Sequence, residues 1–459
     1  MASIGRILVL VACLATVTAS AQSGPAPAQM GVRVWEEPLV LPSYRVDPPD
    51  PSPMFYTGAS YQGAQKRIYP YPLIDRITGI RQEGTWKSLN LENEYIRLSV
   101  LPEIGGRLFS AVDKTDNYDI FYHQHVIKPA LIGMLGAWIS GGIEWCVFHH
   151  HRNTTFMPVD YTLAENPDGS RTIWFGETER RHRMRWIIGI TLYPDKSYIE
   201  ATVKMFNRTA VPNSILYWAN VAVHVNDDYQ VIFPPSVQIA TYHSKNDFAY
   251  WPIGKGRYRG TDYSGVDESW WKNHPNAVSF FAWDRQEDFM GGYDHGREAG
   301  VASIGDHHIV CGAKLWEWGP NNIWDTKVLT DSDGPYAELM VGAFSDNQPD
   351  YSWITPYEVK TFKQYWYPIR QIGGMKNATL DGAVNLELDP NGLARFGFNA
   401  TSQFKGAKAI LAAGDKTILE QTVDIGPDKP YVKKVKVPEG TQETALKASL
   451  VTSDGRTLV

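Results

Sequence analysis

The fold class is decided by the stretch Arg185-Trp-Ile-Ile-Gly-Ile-Thr-Leu-Tyr-Pro-Asp-Lys-Ser-Tyr-Ile-Glu-Ala-Thr-Val-Lys-Met-Phe206. Both ends of the stretch are rich in β-branched and aromatic residues that alternate with polar ones at a period of two, as side chains do along a β-strand. Between them, Tyr193-Pro-Asp-Lys196 has the composition of a turn. The stretch therefore predicts two antiparallel strands joined by a short connection.

The same pattern continues on both sides of this hairpin. It recurs from Trp86 to Leu101 and from Thr172 to Thr178, whereas few windows fit a helical period. We therefore predict an all-β protein, with a leader and the first strand over residues 22–53 and one large antiparallel β-sandwich over 54–372. After residue 372 tryptophan disappears, which predicts a small immunoglobulin-like β-sandwich over 373–459. That small sandwich is either complete at Val459 or truncated there.

The first residues have the pattern of a secretory signal. Arg6 forms a short basic region, Ile7 to Val17 is apolar, and Ala19-Ser20-Ala21 supplies a cleavage site. We therefore predict a signal peptide over residues 1–21 and a secreted or periplasmic protein. A lipid anchor is the alternative, because Leu10-Val11-Ala12-Cys13 is similar to a lipoprotein cleavage box. No later stretch of about 18 apolar residues predicts a membrane span.

Charge and composition limit the classes of function. The formal net charge is −6, so we expect no surface for nucleic acid. Aromatic residues make up 12% of the chain, and their rings suit the C–H faces of sugars, although large β-sheets are also rich in Tyr and Trp. We predict a sugar or oligosaccharide as the partner and leave the oligomeric state open. Cys146 and Cys311 remain after signal cleavage, and their spacing does not show whether they pair.

One stretch, from Gly133 to Tyr161, concentrates glycines, tryptophans, an acidic residue and three consecutive histidines. Glycine lets the backbone approach a ligand closely, tryptophan offers a flat face, and histidine moves protons near neutral pH. We predict that this stretch forms one wall of a small-molecule pocket. A zinc site at His149, His150 and His151 is the alternative, but at most two of three consecutive strand residues share a face. We therefore expect neither a metal nor a cofactor.

Polar residues also interrupt other apolar strands. Glu338 directly precedes several apolar residues of a predicted strand. Burial of a carboxyl group raises its pKa towards the range of a general base or acid. Asn220 and His224 lie in another apolar run, where they are either satisfied core groups or pocket residues. Arg107 follows two glycines, and its guanidinium either binds sugar oxygens or pairs with a nearby carboxylate.

Several segments together resemble the galactose mutarotase-like (aldose 1-epimerase) superfamily, in a branch of unknown function that is often followed by tetratricopeptide repeats. The segments are Leu101-Pro-Glu-Ile-Gly-Gly-Arg107, Gly136–Trp145 with Thr154–Asp160, Tyr217–Val223, and Gly334–Leu339 with Tyr365–Pro368. The resemblance covers about residues 32 to 375 and implies the supersandwich fold.

The resemblance also implies roles for individual residues. In aldose 1-epimerases a glutamate removes the proton of the anomeric hydroxyl group, and a histidine protonates the ring oxygen. Glu338 is similar to that glutamate, and His151 or His224 is the expected histidine. The residues expected to bind the sugar are Arg107, Glu144, Trp145, Trp218, Asn220, His243 and Trp316.

Two functions fit these patterns. In the first, the protein is an exported enzyme that acts on a sugar through Glu338 and a histidine, as an epimerase-like enzyme, a glycoside hydrolase or a lyase. In the second, it is an exported glycan-binding module without turnover. Export favours an oligosaccharide or polysaccharide over a free cytoplasmic sugar in both cases.

Overall fold

The computed structural model describes residues 31–51, 70–149, 151–319 and 325–459. The predicted signal peptide, most of the predicted leader before the first strand, and His150 lie outside the described residues.

Strands β1 to β26 form the first body of the protein. In chain order they are β1 (Arg33–Val46), β2 (Ile77–Glu92), β3 (Ile96–Leu101), β4 (Arg107–Asp113), β5 (Tyr118–Asp119), β6 (Ala130–Gly133), β7 (Gly136–Trp138), β8 (Ile143–Cys146), β9 (Asp160–Glu165), β10 (Arg171–Thr178), β11 (Arg185–Leu192), β12 (Ile199–Phe206), β13 (Asn213–Ile215), β14 (Tyr217–His224), β15 (Tyr229–Ile232), β16 (Ile239–Thr241), β17 (Phe248–Tyr250), β18 (Arg257–Tyr258), β19 (Thr261–Asp262), β20 (Val278–Ala282), β21 (Phe289–Asp294), β22 (Ala299–Ile304), β23 (Gly312–Glu317), β24 (Tyr336–Ala343), β25 (Ser352–Ile354) and β26 (Val359–Arg370).

Two large antiparallel sheets dominate this body. The 12-stranded sheet has the order β1-β2-β3-β4-β8-β14-β24-β23-β20-β16-β17, with β5 beside β4, and the eight-stranded sheet has the order β15-β21-β22-β26-β12-β11-β10-β9. The hairpin predicted at the outset is confirmed, because β11 and β12 pair antiparallel with Trp186 opposite Met205. The predicted first strand is also present, and it joins the 12-stranded sheet through β2.

The core of the first body lies between the two sheets. Trp145 of the 12-stranded sheet contacts Trp366 of the eight-stranded sheet, with ring centres 6.1 Å apart. Phe175 packs between Trp145 and Trp186 at 6.2 Å from each ring. All these side chains are buried, and burial of large aromatic groups on this scale is the main stabilising contribution to such a sandwich.

Strand β24 shows how the 12-stranded sheet is built. All eight of its residues are buried. Ala337, Leu339 and Val341 belong to the core between the sheets. Because side chains alternate along a strand, Glu338 and Met340 project from the opposite face. The candidate site lies on that face.

Strands β27 to β33 form the second body. They are β27 (Asn377–Ala378), β28 (Gly382–Leu388), β29 (Leu393–Ala400), β30 (Phe404–Ala413), β31 (Lys416–Ile425), β32 (Tyr431–Lys436) and β33 (Leu446–Val451). They make a four-stranded and a three-stranded antiparallel sheet around a separate core that includes Phe396, Phe398 and Leu411. The predicted fold class, a large sandwich followed by a small one, is confirmed.

The helices of the described residues are short. They are single turns at Pro102–Ile104, His243–Lys245, Trp271–Asn273, Asp325–Leu329 and Glu443–Ala445. In the part of the chain that the structure describes, no helix has the length and apolar character needed to cross a membrane. Cys146 and Cys311 are both free thiols, so the disulfide left open by the sequence is not formed here.

Candidate functional site

A cavity of about 220 Å³ lies on the face of the 12-stranded sheet that points away from the core. Its walls are formed by Ile132, Trp138, His151, Tyr242, His243, Lys314, Trp316, Trp318, Tyr336 and Glu338. Four of the predicted site residues are therefore brought together here, namely Glu338, His151, His243 and Trp316.

Neighbouring strands place the polar residues in adjacent positions. Glu338 in β24 pairs with Trp316 in β23 on one side and with Ala222 in β14 on the other. On the other side of β14, Asn220 of this strand pairs with Glu144 in β8. Paired residues of antiparallel strands project from the same face, so these side chains project together on the cavity side of the sheet.

The Glu144 carboxylate orients His151. One of its oxygens, Oε2, lies 2.9 Å from His151 Nδ1 and accepts hydrogen bonds from Trp138 Nε1 at 2.8 Å and Asn220 Nδ2 at 3.4 Å. The other oxygen, Oε1, accepts a hydrogen bond from the Thr155 hydroxyl group at 2.7 Å. A carboxylate on Nδ1 fixes both the tautomer and the ring orientation of a histidine. Glu144 is thus a positioning residue behind two cavity residues.

The pKa values of the two buried carboxyl groups are displaced in opposite directions. Burial acts to raise the pKa of Glu144, but the charges of His151 and Arg107 and the hydrogen bonds from His151 and Trp138 hold this pKa well below the usual range. Burial raises the pKa of Glu338, and Lys314 and His151 only partly oppose this effect. Glu144 is therefore fixed as an anion, whereas Glu338 is able to take up and release a proton at less acidic pH.

Lys314 also lines the cavity, although it is not among the site residues predicted from the sequence. Its Nζ donates a hydrogen bond to Gln348 Oε1 at 3.0 Å and lies 4.9 Å from the centre of the Phe281 ring. Burial lowers the pKa of Lys314 to about 8, although the charge of Glu338 acts to raise it. A buried cation near a buried carboxyl group favours the ionised form of that carboxyl group.

The rest of the cavity wall is mainly aromatic. Trp316 and Trp318 meet edge to face with ring centres 4.7 Å apart, and the Tyr336 hydroxyl group donates a hydrogen bond to Glu338 Oε1 at 3.3 Å. His243 contributes a ring whose Nε2 lies 3.2 Å from Ser279 Oγ. Burial and the charge of Lys314 lower the pKa of His243 to about 3, so this imidazole is neutral at ordinary pH.

Arg107 lies behind the cavity wall. Its guanidinium group is 5.6 Å from the centre of the Trp138 ring, and its Nη1 donates a hydrogen bond to the Gly141 carbonyl group at 2.7 Å. Among the described residues, its buried Nη2 has no hydrogen-bond partner. Arg107 therefore supports Trp138 and holds an unused donor close to the site.

Three predicted site residues lie away from the cavity. Trp145 projects into the core between the sheets, and Trp218 packs with Met340 and Phe281 at another part of the outer face. His224 lies beside Tyr122 at a ring distance of 4.3 Å, and its Nε2 accepts the backbone N–H of His123. Trp145 faces the core because it follows Glu144 directly, and adjacent strand residues point to opposite faces.

Two groups of side chains have the spacing of metal ligands. Glu144, Cys146 and His151 form the first, and the exposed residues Asp306, His307 and His308 form the second. In the first group the Glu144 oxygens already accept four hydrogen bonds, and burial raises the pKa of the Cys146 thiol well above its usual range. These features suit a hydrogen-bonded network better than a metal centre.

Comparison with known proteins agrees with this architecture. Several solved structures that align with this chain are described as galactose mutarotase-like proteins or aldose 1-epimerases, the superfamily that the sequence resembles. Residues 64–369 match the family model described as "Domain of unknown function (DUF5107)". This match spans most of the chain, so the protein belongs to this family. Residues 377–459 match the model described as "YphG-like protein, second domain".

Several solved structures align with this chain, and the first of those that follow shares its fold. A TPR-domain containing protein from Parabacteroides distasonis aligns with a TM-score of 0.62 and 22% identity over 74% of this chain and 55% of that one, so this chain spans about half of that protein. A galactose mutarotase-like protein from Clostridium acetobutylicum aligns over 62% of this chain and 96% of its own, with 11% identity and a TM-score of 0.44. Galactose 1-epimerase from Lactobacillus acidophilus aligns over 62% and 95%, with 9% identity and a TM-score of 0.42.

Proposed function

We propose that this protein binds a sugar and carries out acid–base chemistry at its anomeric carbon or a neighbouring carbon. The observation that best supports this is the pair of carboxyl groups, Glu144 and Glu338, whose pKa values are displaced in opposite directions beside one cavity. Such a separation of pKa values is a common property of acid–base sites.

The proposed roles follow from the contacts. The Glu338 carboxylate takes the proton of the anomeric hydroxyl group, and protonated His151 gives a proton to the ring oxygen. The bond between C1 and the ring oxygen breaks as a carbonyl group forms at C1. Closure on the other face of C1 returns both protons. Glu144 holds the Nδ1 side of His151 and orients its ring.

The size of the cavity supports a small ligand. Cavities for drug-sized molecules have volumes of roughly 300–1,000 Å³, and this one is smaller, at about 220 Å³. One sugar residue, either free or at the end of a chain, suits this volume. Trp316 and Trp318 offer ring faces and edges for its C–H groups.

The Glu338→Gln variant tests this function. A panel of aldoses and reducing oligosaccharides is screened by exchange NMR for anomer interconversion and by chromatography for cleavage. On a sugar that the wild type converts, we expect conversion to fall about 100-fold or more, because a general base contributes at least that factor. The exposed Glu439→Gln variant in the second body serves as the control.

The result also separates the two functions. If the Glu338→Gln variant converts the sugar as fast as the wild type does, the acid–base role of Glu338 is contradicted. The wild type could instead bind a sugar without converting any sugar of the panel, and the Trp316→Ala variant could fail to bind it. In that case the protein is a glycan-binding module that uses the same cavity.

We also propose that the protein is exported, on the strength of the signal-like pattern in residues 1–21. Expression of the full chain in a bacterial host and N-terminal sequencing of the product test this. A periplasmic protein that begins at Gln22 is expected. A product blocked by lipid at Cys13 would support the lipoprotein alternative, and an uncleaved cytoplasmic product would contradict export.

A further inference from the structure

A strip of exposed apolar side chains lies at the end of the 12-stranded sheet. Phe248 and Tyr250 in β17 are each 50% exposed, and Trp283, which follows β20, is 37% exposed. Ile239 in β16 completes the strip at 37% exposure. Large aromatic side chains are seldom left exposed as a group unless they serve a binding surface.

The strip lies on the same face of the sheet as the cavity. Ile239 pairs with Tyr250, and the next pair, Ala240 with Ala249, is buried in the core between the sheets. The strip residues therefore project from the outer face. The Trp283 ring joins them, with its centre 5.5 Å from that of Phe248.

One hairpin connects the strip to the cavity. Strands β16 and β17 carry three of the four strip residues, and the turn between them carries Tyr242 and His243, which line the cavity. Phe248 is paired with Thr241, only two residues before His243. The strip thus begins next to the cavity wall and leads towards the edge of the sheet.

Polar groups flank the rings of the strip. Lys245 Nζ lies 5.3 Å from the centre of the Trp283 ring, and Lys255 Nζ lies 4.3 Å from the centre of the Tyr250 ring. Lys245 also forms ion pairs with Asp346 and Asp350 at 2.9 Å and 3.2 Å. Rings for the C–H faces of a sugar are therefore combined with donors and acceptors for its hydroxyl groups.

The lysines argue against a protein partner on this strip. The centres of protein–protein interfaces are depleted of lysine and aspartate. β17 is the last strand of its sheet, and lysine beside an edge strand opposes pairing with a strand from another chain. A hydrated glycan, by contrast, contacts rings and charged groups together.

We propose that the strip extends the sugar site, so that the ligand is an oligosaccharide with its terminal residue in the cavity and the following residues on Phe248, Trp283 and Tyr250. This inference rests on the proposed function, because it places the terminal sugar in the cavity near Glu338. It also gives the ligand class, a glycan chain rather than a free monosaccharide.

Affinity as a function of chain length tests the proposal. The wild type and its variants are screened on arrays of mono- to hexasaccharides of glucose, galactose, mannose and xylose, and hits are measured by calorimetry. We expect Phe248→Ala and Trp283→Ala each to weaken hexasaccharide binding about tenfold, as loss of one stacking partner implies. Binding of the corresponding monosaccharide should not change.

A matched control is Trp353→Ala, because Trp353 is 62% exposed on β25, outside the strip. Equal affinity of the wild type and the strip variants for every chain length would overturn the strip proposal, provided that Trp316→Ala weakens binding. If the Trp316→Ala variant binds the sugar as tightly as the wild type does, the assignment of the cavity as the sugar site is overturned instead. If the wild type self-associates and the strip variants do not, the strip is a protein interface, and the proposal is overturned as well.

Discussion

Glu144 Oε2 and His151 Nδ1 lie 2.9 Å apart, and both side chains are almost fully buried. Glu144 lies in β8 behind the cavity wall, and His151 lies in the loop that follows β8 and lines the cavity. His151 has a φ of 47°, a left-handed conformation that is costly for a residue with a side chain. The surrounding hydrogen bonds therefore hold both the ring and its backbone in place.

Replacing Glu144 by Gln should destabilise the protein by about 3 kcal/mol, because the buried carboxylate has hydrogen-bond partners on both oxygens and an amide would leave some of these partners unpaired. The effect should depend on pH. The folded pKa of Glu144 lies well below its ordinary value of 4.5, so its stabilising contribution is fully present above about pH 4.5 and disappears as the pH falls through the folded pKa.

Urea unfolding of the wild type and Glu144→Gln at pH 7 and at pH 3 checks this prediction. The difference in unfolding free energy should be large at pH 7 and smaller at pH 3. Glu439→Gln, at an exposed site, should match the wild type at both pH values. A difference that stays constant or grows towards pH 3 would show that Glu144 is not held as an anion.

Replacing Lys314 by Met should raise the pKa of Glu338 further. Burial already raises this pKa, and the charge of Lys314 is the largest of the effects that lower it. Methionine retains much of the length and volume of the lysine chain without the charge. In the wild type, Glu338 should titrate above 4.5, and in Lys314→Met at a higher pH still.

Carbon-13 NMR titration of glutamate carboxyl groups checks this, with the Glu338 signal assigned from its absence in Glu338→Gln. Lys416→Met, at an exposed position in the second body, should leave the titration unchanged. The prediction is wrong if Glu338 titrates at 4.5 or below in the wild type, or if Lys314→Met lowers its pKa.

Replacing Gly342 by Ala should destabilise the first body. A Cβ atom at Gly342 would lie 2.5 Å from the Trp218 ring, and Trp218 is fully buried. Overpacking of a rigid core costs about 1–3 kcal/mol. Gly31→Ala is the control, since a Cβ atom there would have no neighbour within 4 Å.

Thermal unfolding by calorimetry measures both glycine variants. We expect a lower Tm for Gly342→Ala and an unchanged Tm for Gly31→Ala. An unchanged Tm for Gly342→Ala would mean that the Trp218 ring moves aside without cost, and that this part of the outer face is loosely packed.

Much of the candidate site was accessible to sequence reasoning. Glu338 stands out because a carboxyl group interrupts an apolar strand, and His151 because it lies in a stretch rich in glycine and tryptophan. Strict use of the two-residue period would also have separated Trp145 from Glu144, since adjacent residues on a strand face opposite sides. Lys314 gives a weaker signal, because one lysine in a strand usually lies at a solvated face.

The sequence by itself determined the fold class and the hairpin from Arg185 to Phe206, because strand periodicity and turn residues act over short distances along the chain. The family followed from the resemblance of short motifs such as Leu101-Pro-Glu-Ile-Gly-Gly-Arg107. Only the tertiary structure decided which polar residues meet. Glu144, Lys314 and Glu338 are far apart in sequence, and strand order and register bring them to one face of one sheet. Strand pairing is a long-range property, and one residue of register shift would turn each of these side chains to the other face.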